Sequence, residues 1–199
     1  MSITAPTEID HRTSARDRLL AAANELFYAE GIQTVGIDRI IERAGVAKAS
    51  LYNHFRSKEE LVAAYLASRH QLTTSRLAAA MARVDDPREK ILAVFDAQAQ
   101  QFAQADFNGC AFTAASTEAP RGGLVEAAAD EFRASIRGMF TDLAEQAGAA
   151  DPVTLGRQLH LLYDGAGLAA RMDRHDPGIA PSVCEAAESL LDVAVYRGT

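Results

Sequence analysis

No tryptophan, only two cysteines and no long apolar run occur in this chain of 199 residues, and each shortage removes a class of protein. No uninterrupted apolar stretch reaches the ~18 residues that a membrane-spanning helix needs. The opening MSITAPTEIDHRTSAR is polar, contains acidic residues and lacks an apolar core, so it is not expected to be a signal peptide. The expectation is a soluble, cytoplasmic protein. Cys110 and Cys184 are too few and too far apart for a disulfide framework or a zinc cage. Their small or apolar neighbours make both read as buried thiols, with redox sensing as the alternative. Positive charge is also in short supply: the formal net charge is -7, which argues against indiscriminate nucleic-acid binding. There is no alternating strand pattern of useful length, no internal repeat, no low-complexity tract, no G-x-S-x-G elbow and no P-loop.

What is present is a chain with 48% hydrophobic and 24% charged residues, long enough for one large domain or two small ones with a real core. Its charge is uneven. Residues 1–58 hold 8 Lys/Arg against 7 Asp/Glu, whereas residues 59–199 hold 12 against 20. A near-neutral first part joined to an acidic remainder suits a protein whose nucleic-acid contact is confined to one end.

The stretch IDRIIERAGVAKASLYNHFRSK, residues 37–58, carries the densest pattern. Ile37, Ile40, Ile41 and Ala44 recur at the spacing of one helical face. Gly45 supplies the backbone freedom to end that helix and turn, and Val46 plugs the corner. Leu51 and Phe55, four apart, form the inner side of a second helix whose outer side holds Lys48, Ser50, Tyr52, Asn53 and His54. Helix, glycine turn, helix is the arrangement in which the second helix enters the major groove of DNA. Asn and Lys can donate to base edges, Ser pairs with either edge, and Tyr and Lys can hold phosphate oxygens. An ordinary helical hairpin with a solvated polar face fits the same spacing.

The wording of the segment goes further than its spacing. RDRLLAAANELFYAEGIQTVGIDRIIERAGVAKASLYNHFRSKEELVAAYL, residues 16–66, resembles the DNA-binding domain of the TetR family of bacterial transcriptional regulators. The AGV turn, the LY-x-HF core of the second helix and the following SKEEL are the most specific parts. Three departures stand out. Gly36 replaces the usual Thr or Ser cap, so this cap relies on backbone and water; Ala49 replaces a frequent Gly; and Asn53 sits where an aromatic is common.

Elsewhere the pattern is helical throughout. Ser14 and Asp17 open a first helix with the stripe Leu19, Leu20, Ala23, Leu26, Phe27, which ends at Gly31. Ser57 and Glu60 have capping-box spacing and open a long helix through Leu61, Val62, Tyr65, Leu66 and Leu72, reaching as far as Arg83. Lys58 in its first turn opposes the helix dipole, a mismatch that a bound phosphate would relieve. Asp86-Pro87 and Asp151-Pro152 are cap-plus-proline starts. Between them lie a helix through Phe95 and Phe102, a break at Phe107-Asn108-Gly109, a short segment CAFTAASTEA, and a long amphipathic helix whose apolar face runs from Leu124 to Leu143 and which ends near Gly148. Two more helices follow, through Leu159 and through Leu191, with a loop at residues 175–181. The expectation is an all-α protein of about nine helices, which is also what the resemblance implies. It consists of a flexible N-terminal arm (1–12), a three-helix helix-turn-helix head (13–73, motif 36–55) and a regulatory ligand-binding and dimerisation bundle (74–199).

The last two helices are rich in Gly and Ala, including Gly156, Gly165 and Gly167, which suggests close helix approach within one chain or between two. The resemblance implies that these helices pair with their copies in a homodimer, and that a small molecule binds in the body. Phe112 and Ser116 facing His160, Tyr163 and Asp164 are the candidate ligand-binding residues. Gly165–Ala170 mimics a dinucleotide fingerprint, but helical periodicity runs straight through it. His160 with Asp164 lacks a third metal ligand, and Ser116 adds only residue identity to a triad. No metal, cofactor or enzymatic activity is expected. The functional expectation is a ligand-responsive repressor that binds a palindromic operator of double-stranded DNA as a dimer. Here Lys48, Ser50 and Asn53 face bases or nearby phosphates, while Tyr52, His54 and Lys58 hold the backbone. The alternative is a helical ligand-binding or interaction protein that retains the head without a specific DNA site.

Overall fold

The computed structural model describes residues 14–174 and 176–196, with side chains through residue 194. The expected flexible arm at 1–12 and His175 of the last loop lie outside them. Among the described residues there are nine helices and no strand: α1 (Ala15–Glu30), α2 (Ile37–Ala44), α3 (Lys48–His54), α4 (Lys58–Met81), α5 (Pro87–Phe102), α6 (Ala111–Glu118), α7 (Leu124–Gln146), α8 (Pro152–Met172) and α9 (Ile179–Tyr196).

Local chemistry accounts for four of the helix starts. Ser14, Ser57, Asp86 and Asp151 each accept a hydrogen bond from a backbone N–H three residues on, and Pro87 and Pro152 occupy the first helical positions of α5 and α8. The box at Ser57 differs from expectation in one arm. Ser57 accepts from the Glu60 N–H at 3.1 Å, but the Glu60 carboxylate takes the N–H of Arg56 at 2.7 Å rather than that of Ser57. Gly36 begins α2 with no side-chain cap.

Helices α2, α3 and α4 pack on α1, and α2 also meets α3. Leu19, Phe27, Ile40, Leu51, Phe55 and Tyr65 are buried there, with the Phe27 and Tyr65 rings 5.6 Å apart. Helix α4 then runs on to contact α5, α6 and α7, while α8 lies between α7 and α9. In this second core Phe95 stacks on Phe140 at 5.5 Å and Phe112 on Phe132 at 3.8 Å.

Three sequence expectations need correction. Helix α4 ends at Met81, short of Arg83. Leu72 is 60% exposed, because the inner face of α4 follows Tyr65, Arg69, Thr73, Arg76 and Leu77 instead. Leu124 is likewise exposed at the first position of α7, where its N–H is taken by Glu59 at 2.8 Å. Of the glycines on α8, Gly156 serves packing within the chain: a Cβ there would lie 2.8 Å from the Thr141 Cα of α7. Gly165 faces open space.

A set of polar contacts ties the first helices to the rest. The Tyr28 hydroxyl of α1 donates to the Gly109 carbonyl at 3.1 Å and accepts from the Asn108 N–H at 3.0 Å. Arg171 and Arg174 in turn donate to the Asn108 carbonyl and side chain at 2.6 and 2.7 Å. The Glu118 carboxylate at the end of α6 accepts from the Gln33 N–H at 2.7 Å.

Candidate nucleic-acid interface and ligand cavities

The turn between α2 and α3 is built by Gly45, whose left-handed backbone (φ 62°, ψ 42°) no β-carbon favours. Its N–H returns to Glu42 and that of Val46 to Ile41, so the last carbonyls of α2 are satisfied as the chain reverses. Leu51 and Phe55 are buried and fix the rotation of α3. That rotation leaves Lys48, Tyr52, Asn53 and His54 exposed and Ser50 half-buried on the solvent side. Lys48 forms a salt bridge with Asp38 at 2.9 Å, and this hydrogen bond raises its pKa. Both partners are well exposed, so the pair is weak and exchangeable. Lys58 stands apart from the other five. It is half-buried, its ammonium lies 5.9 Å from the centre of the Phe27 ring, and burial lowers its pKa against the pull of Glu118.

Four of the five ligand candidates line two cavities. An outer cleft of about 360 Å³ is lined by Phe112, Ser116 and Asp164, together with Arg121, Asp130 and Arg133 among others. An inner cavity of about 70 Å³ is lined by Phe112 and Tyr163 with Phe102, Phe107 and Phe132. Ser116 spends its hydroxyl on the Phe112 carbonyl at 2.8 Å, and Asp164 is held by Arg133 at 2.8 Å. His160 lines neither cavity. It is buried, its Nε2 lies 3.6 Å from the Asp164 carboxylate, and burial holds its pKa below the ordinary value although Asp164 acts the other way.

Sequence reasoning missed the polar wall of the inner cavity: Arg69, Thr73 and Arg76 from α4, and Gln98 and Gln101 from α5. A signal for Gln98 was available. It follows Ile91, Val94 and Phe95 at helical spacing, a polar residue on an otherwise apolar stripe, and it is only 6% exposed. The α4 residues were hidden because Leu72 drew the stripe to the wrong side. Neither cysteine is fully buried as expected. Burial, with Asp96 beside it, pushes the Cys184 thiol up to about 11, which keeps it protonated and unreactive. Cys110 borders both cavities.

A family model described as bacterial regulatory proteins, tetR family, matches residues 19–65. The crystal structure of SCO4454, a TetR-family transcriptional regulator from Streptomyces coelicolor, superposes with a TM-score of 0.87 at 34% identity, covering 92% of this chain and 91% of that one. The HTH-type transcriptional activator FasR of Mycolicibacterium smegmatis is 38% identical over 86 residues, which is 43% of this chain and only 39% of FasR. The HTH-type transcriptional repressor NemR of Escherichia coli is 27% identical over 172 residues, covering 80% of this chain and 85% of NemR.

Proposed function

Since the chain belongs to the TetR family of bacterial regulatory proteins, we propose that it is a transcriptional repressor that binds a palindromic DNA operator as a homodimer and releases it on binding a small molecule. The observation that carries this reading is the display of Lys48, Tyr52, Asn53 and His54 on one short helix whose orientation is locked by two buried side chains, Leu51 and Phe55. Such a helix, presented at an edge of the molecule, fits the major groove. Lys48, Ser50 and Asn53 face bases or nearby phosphates, and Tyr52, His54 and Lys58 hold the backbone. Lys48 exchanges its surface partner Asp38 for DNA, and Lys58 swings from Phe27 to a phosphate.

The dimer is supported by the surface of α8. Leu161, Leu168 and Met172 are 61%, 51% and 73% exposed, and the open Gly165 lies between them at the same helical spacing. Val193 on α9 adds to the apolar surface. A second copy related by a two-fold axis covers this stripe with its own, and the same axis gives the operator its palindrome. The regulatory unit then comprises residues 74–199 and the DNA-binding unit residues 13–73, working in the cytoplasm. A ligand bound in the regulatory unit favours a spacing of the two α3 helices that no longer matches successive major grooves.

The test is selection of bound duplexes from a random DNA pool at fixed salt of about 0.15 M, because affinity there depends steeply on salt. A recovered palindrome supports the reading. A folded dimer that recovers no shared sequence overturns it in favour of a ligand-binding protein that retains the head without a specific DNA site.

A further inference from the structure

The inner cavity between α4, α5, α6, α7 and α8 has a charge pattern at odds with the protein as a whole. The chain carries a net charge of -7, yet Arg69 and Arg76 both line this cavity and no Asp or Glu does. Arg69 is occupied: its guanidinium carbon lies 3.8 Å from the centre of the Tyr28 ring. Arg76 has a side-chain hydrogen bond with Tyr163 but no acidic partner. Among the described residues no carboxylate lies within salt-bridge distance of it, and its Nε is sealed from solvent with no acceptor. Arg76 is half-buried, and the protein offers this partly desolvated cation no counter-charge.

Two neighbours sharpen the picture. Gln98 is 6% exposed and donates its Nε2 to the Tyr163 carbonyl at 2.8 Å, which fixes the amide orientation and leaves the buried Oε1 without a donor. Helix α6 begins at Cys110 with no side-chain cap, and Cys110, Ala111 and Phe112 of that first turn border the cavity. The positive end of its peptide dipole therefore adds to Arg76. Tyr163, next to Arg76, stays a neutral phenol because burial pushes it up to about 12. The remaining walls are the faces and edges of phenylalanines, and the volume of about 70 Å³ admits only a compact body.

We infer that the ligand of this cavity is a compact aryl carboxylate carrying one O–H or N–H donor. Its carboxylate pairs with Arg76 at the start of α6, its ring lies among the phenylalanines, and its donor goes to Gln98 Oε1. This rests on the reading of the protein as ligand-responsive and names the chemistry of the effector.

The probes are benzoate, 3-hydroxybenzoate, 4-hydroxybenzoate and 3-aminobenzoate, each compared with its neutral carboxamide. Binding to the full-length dimer is followed by calorimetry and by thermal shift, without DNA. At least one hydroxy or amino acid is expected to bind tenfold or more tightly than its carboxamide and more tightly than benzoate. Arg76→Gln should abolish that preference, Arg76→Lys should restore part of it, and Gln98→Glu should weaken all the acids while leaving the far-ultraviolet circular dichroism unchanged. Equal binding of acids and carboxamides overturns the inference, as does binding by none of the four acids, or affinities that Arg76→Gln leaves intact. Because DNA is absent, an operator recovered alongside failed acid binding removes only this inference. Acid binding without an operator removes only the DNA reading.

Discussion

Asn53 and Lys58 illustrate how two polar residues of one motif separate by surroundings. Asn53 is exposed on α3 with no side-chain hydrogen bond or ion pair among the described residues, whereas the Lys58 ammonium lies over the Phe27 ring. In the proposed complex the first reads a base and the second a phosphate. Asn53→Ala should therefore relax preference at one operator position, costing ~1–3 kcal/mol there. Lys58→Ala should weaken all sequences alike and lower the slope of log affinity against log salt by about 1. Binding titrations on the operator and on single-base variants at several salt concentrations distinguish the two. His160 offers a second case at this scale. Burial lowers its pKa, with Arg133 and Arg137 acting in the same direction and Asp164 against them. The unfolded chain then takes up a proton at His160 before the folded one does, so stability falls as pH drops through the ordinary histidine value of 6.5. His160→Gln should flatten the fall in urea midpoint between pH 6.5 and 5, relative to the parent protein, in paired unfolding curves.

Among the elements, α2 is one that starts without a side-chain cap. Gly36 has extended backbone at φ -80°, ψ 155°, and a β-carbon there would meet nothing within 4 Å. Ser fits that conformation, supplies the missing acceptor and narrows the unfolded ensemble. Gly36→Ser should thus raise stability by ~0.5–1 kcal/mol without moving α3, as measured by chemical denaturation. Sequence reading anticipated this lack of a cap because capping is local chemistry across three or four residues. It succeeded for the same reason at Asp86-Pro87 and Asp151-Pro152. It failed at α4, where the side facing inward depends on what packs there. Arg69, Thr73 and Arg76 look like a solvated face until α5, α6 and α7 close over them.

For the whole molecule, the polar chain from Arg171 and Arg174 through Asn108 to Tyr28 joins the end of α8 to α1. Asn108 and Gly109 on this chain precede α6, whose first turn borders the inner cavity. Tyr28, Arg69 and Gly109 also line that cavity, so a ligand there touches groups that position α1. The exposed stripe on α8 belongs to this scale too. Leu168→Glu puts a charge at its middle, and in the proposed dimer two such charges face each other across the axis. Sedimentation should then show a monomer at micromolar concentrations with its helicity retained, and operator affinity should drop at least tenfold as the second half-site contact is lost.

The sequence by itself determined the helices, their caps, the turn at Gly45 and the outward set on α3, because each follows from spacing and backbone chemistry within about two helical turns. Family membership was legible for a related reason: the AGV, LY-x-HF and SKEEL segments are contiguous. Tertiary structure alone decided which residues share a cavity. His160, Tyr163 and Asp164 lie within five positions of one another, yet the fold sends them to a packed interior, an inner cavity and an outer cleft. Arg76 and Gln98, on different helices and without any shared motif, meet at the inner cavity only because α4 and α5 pack side by side there.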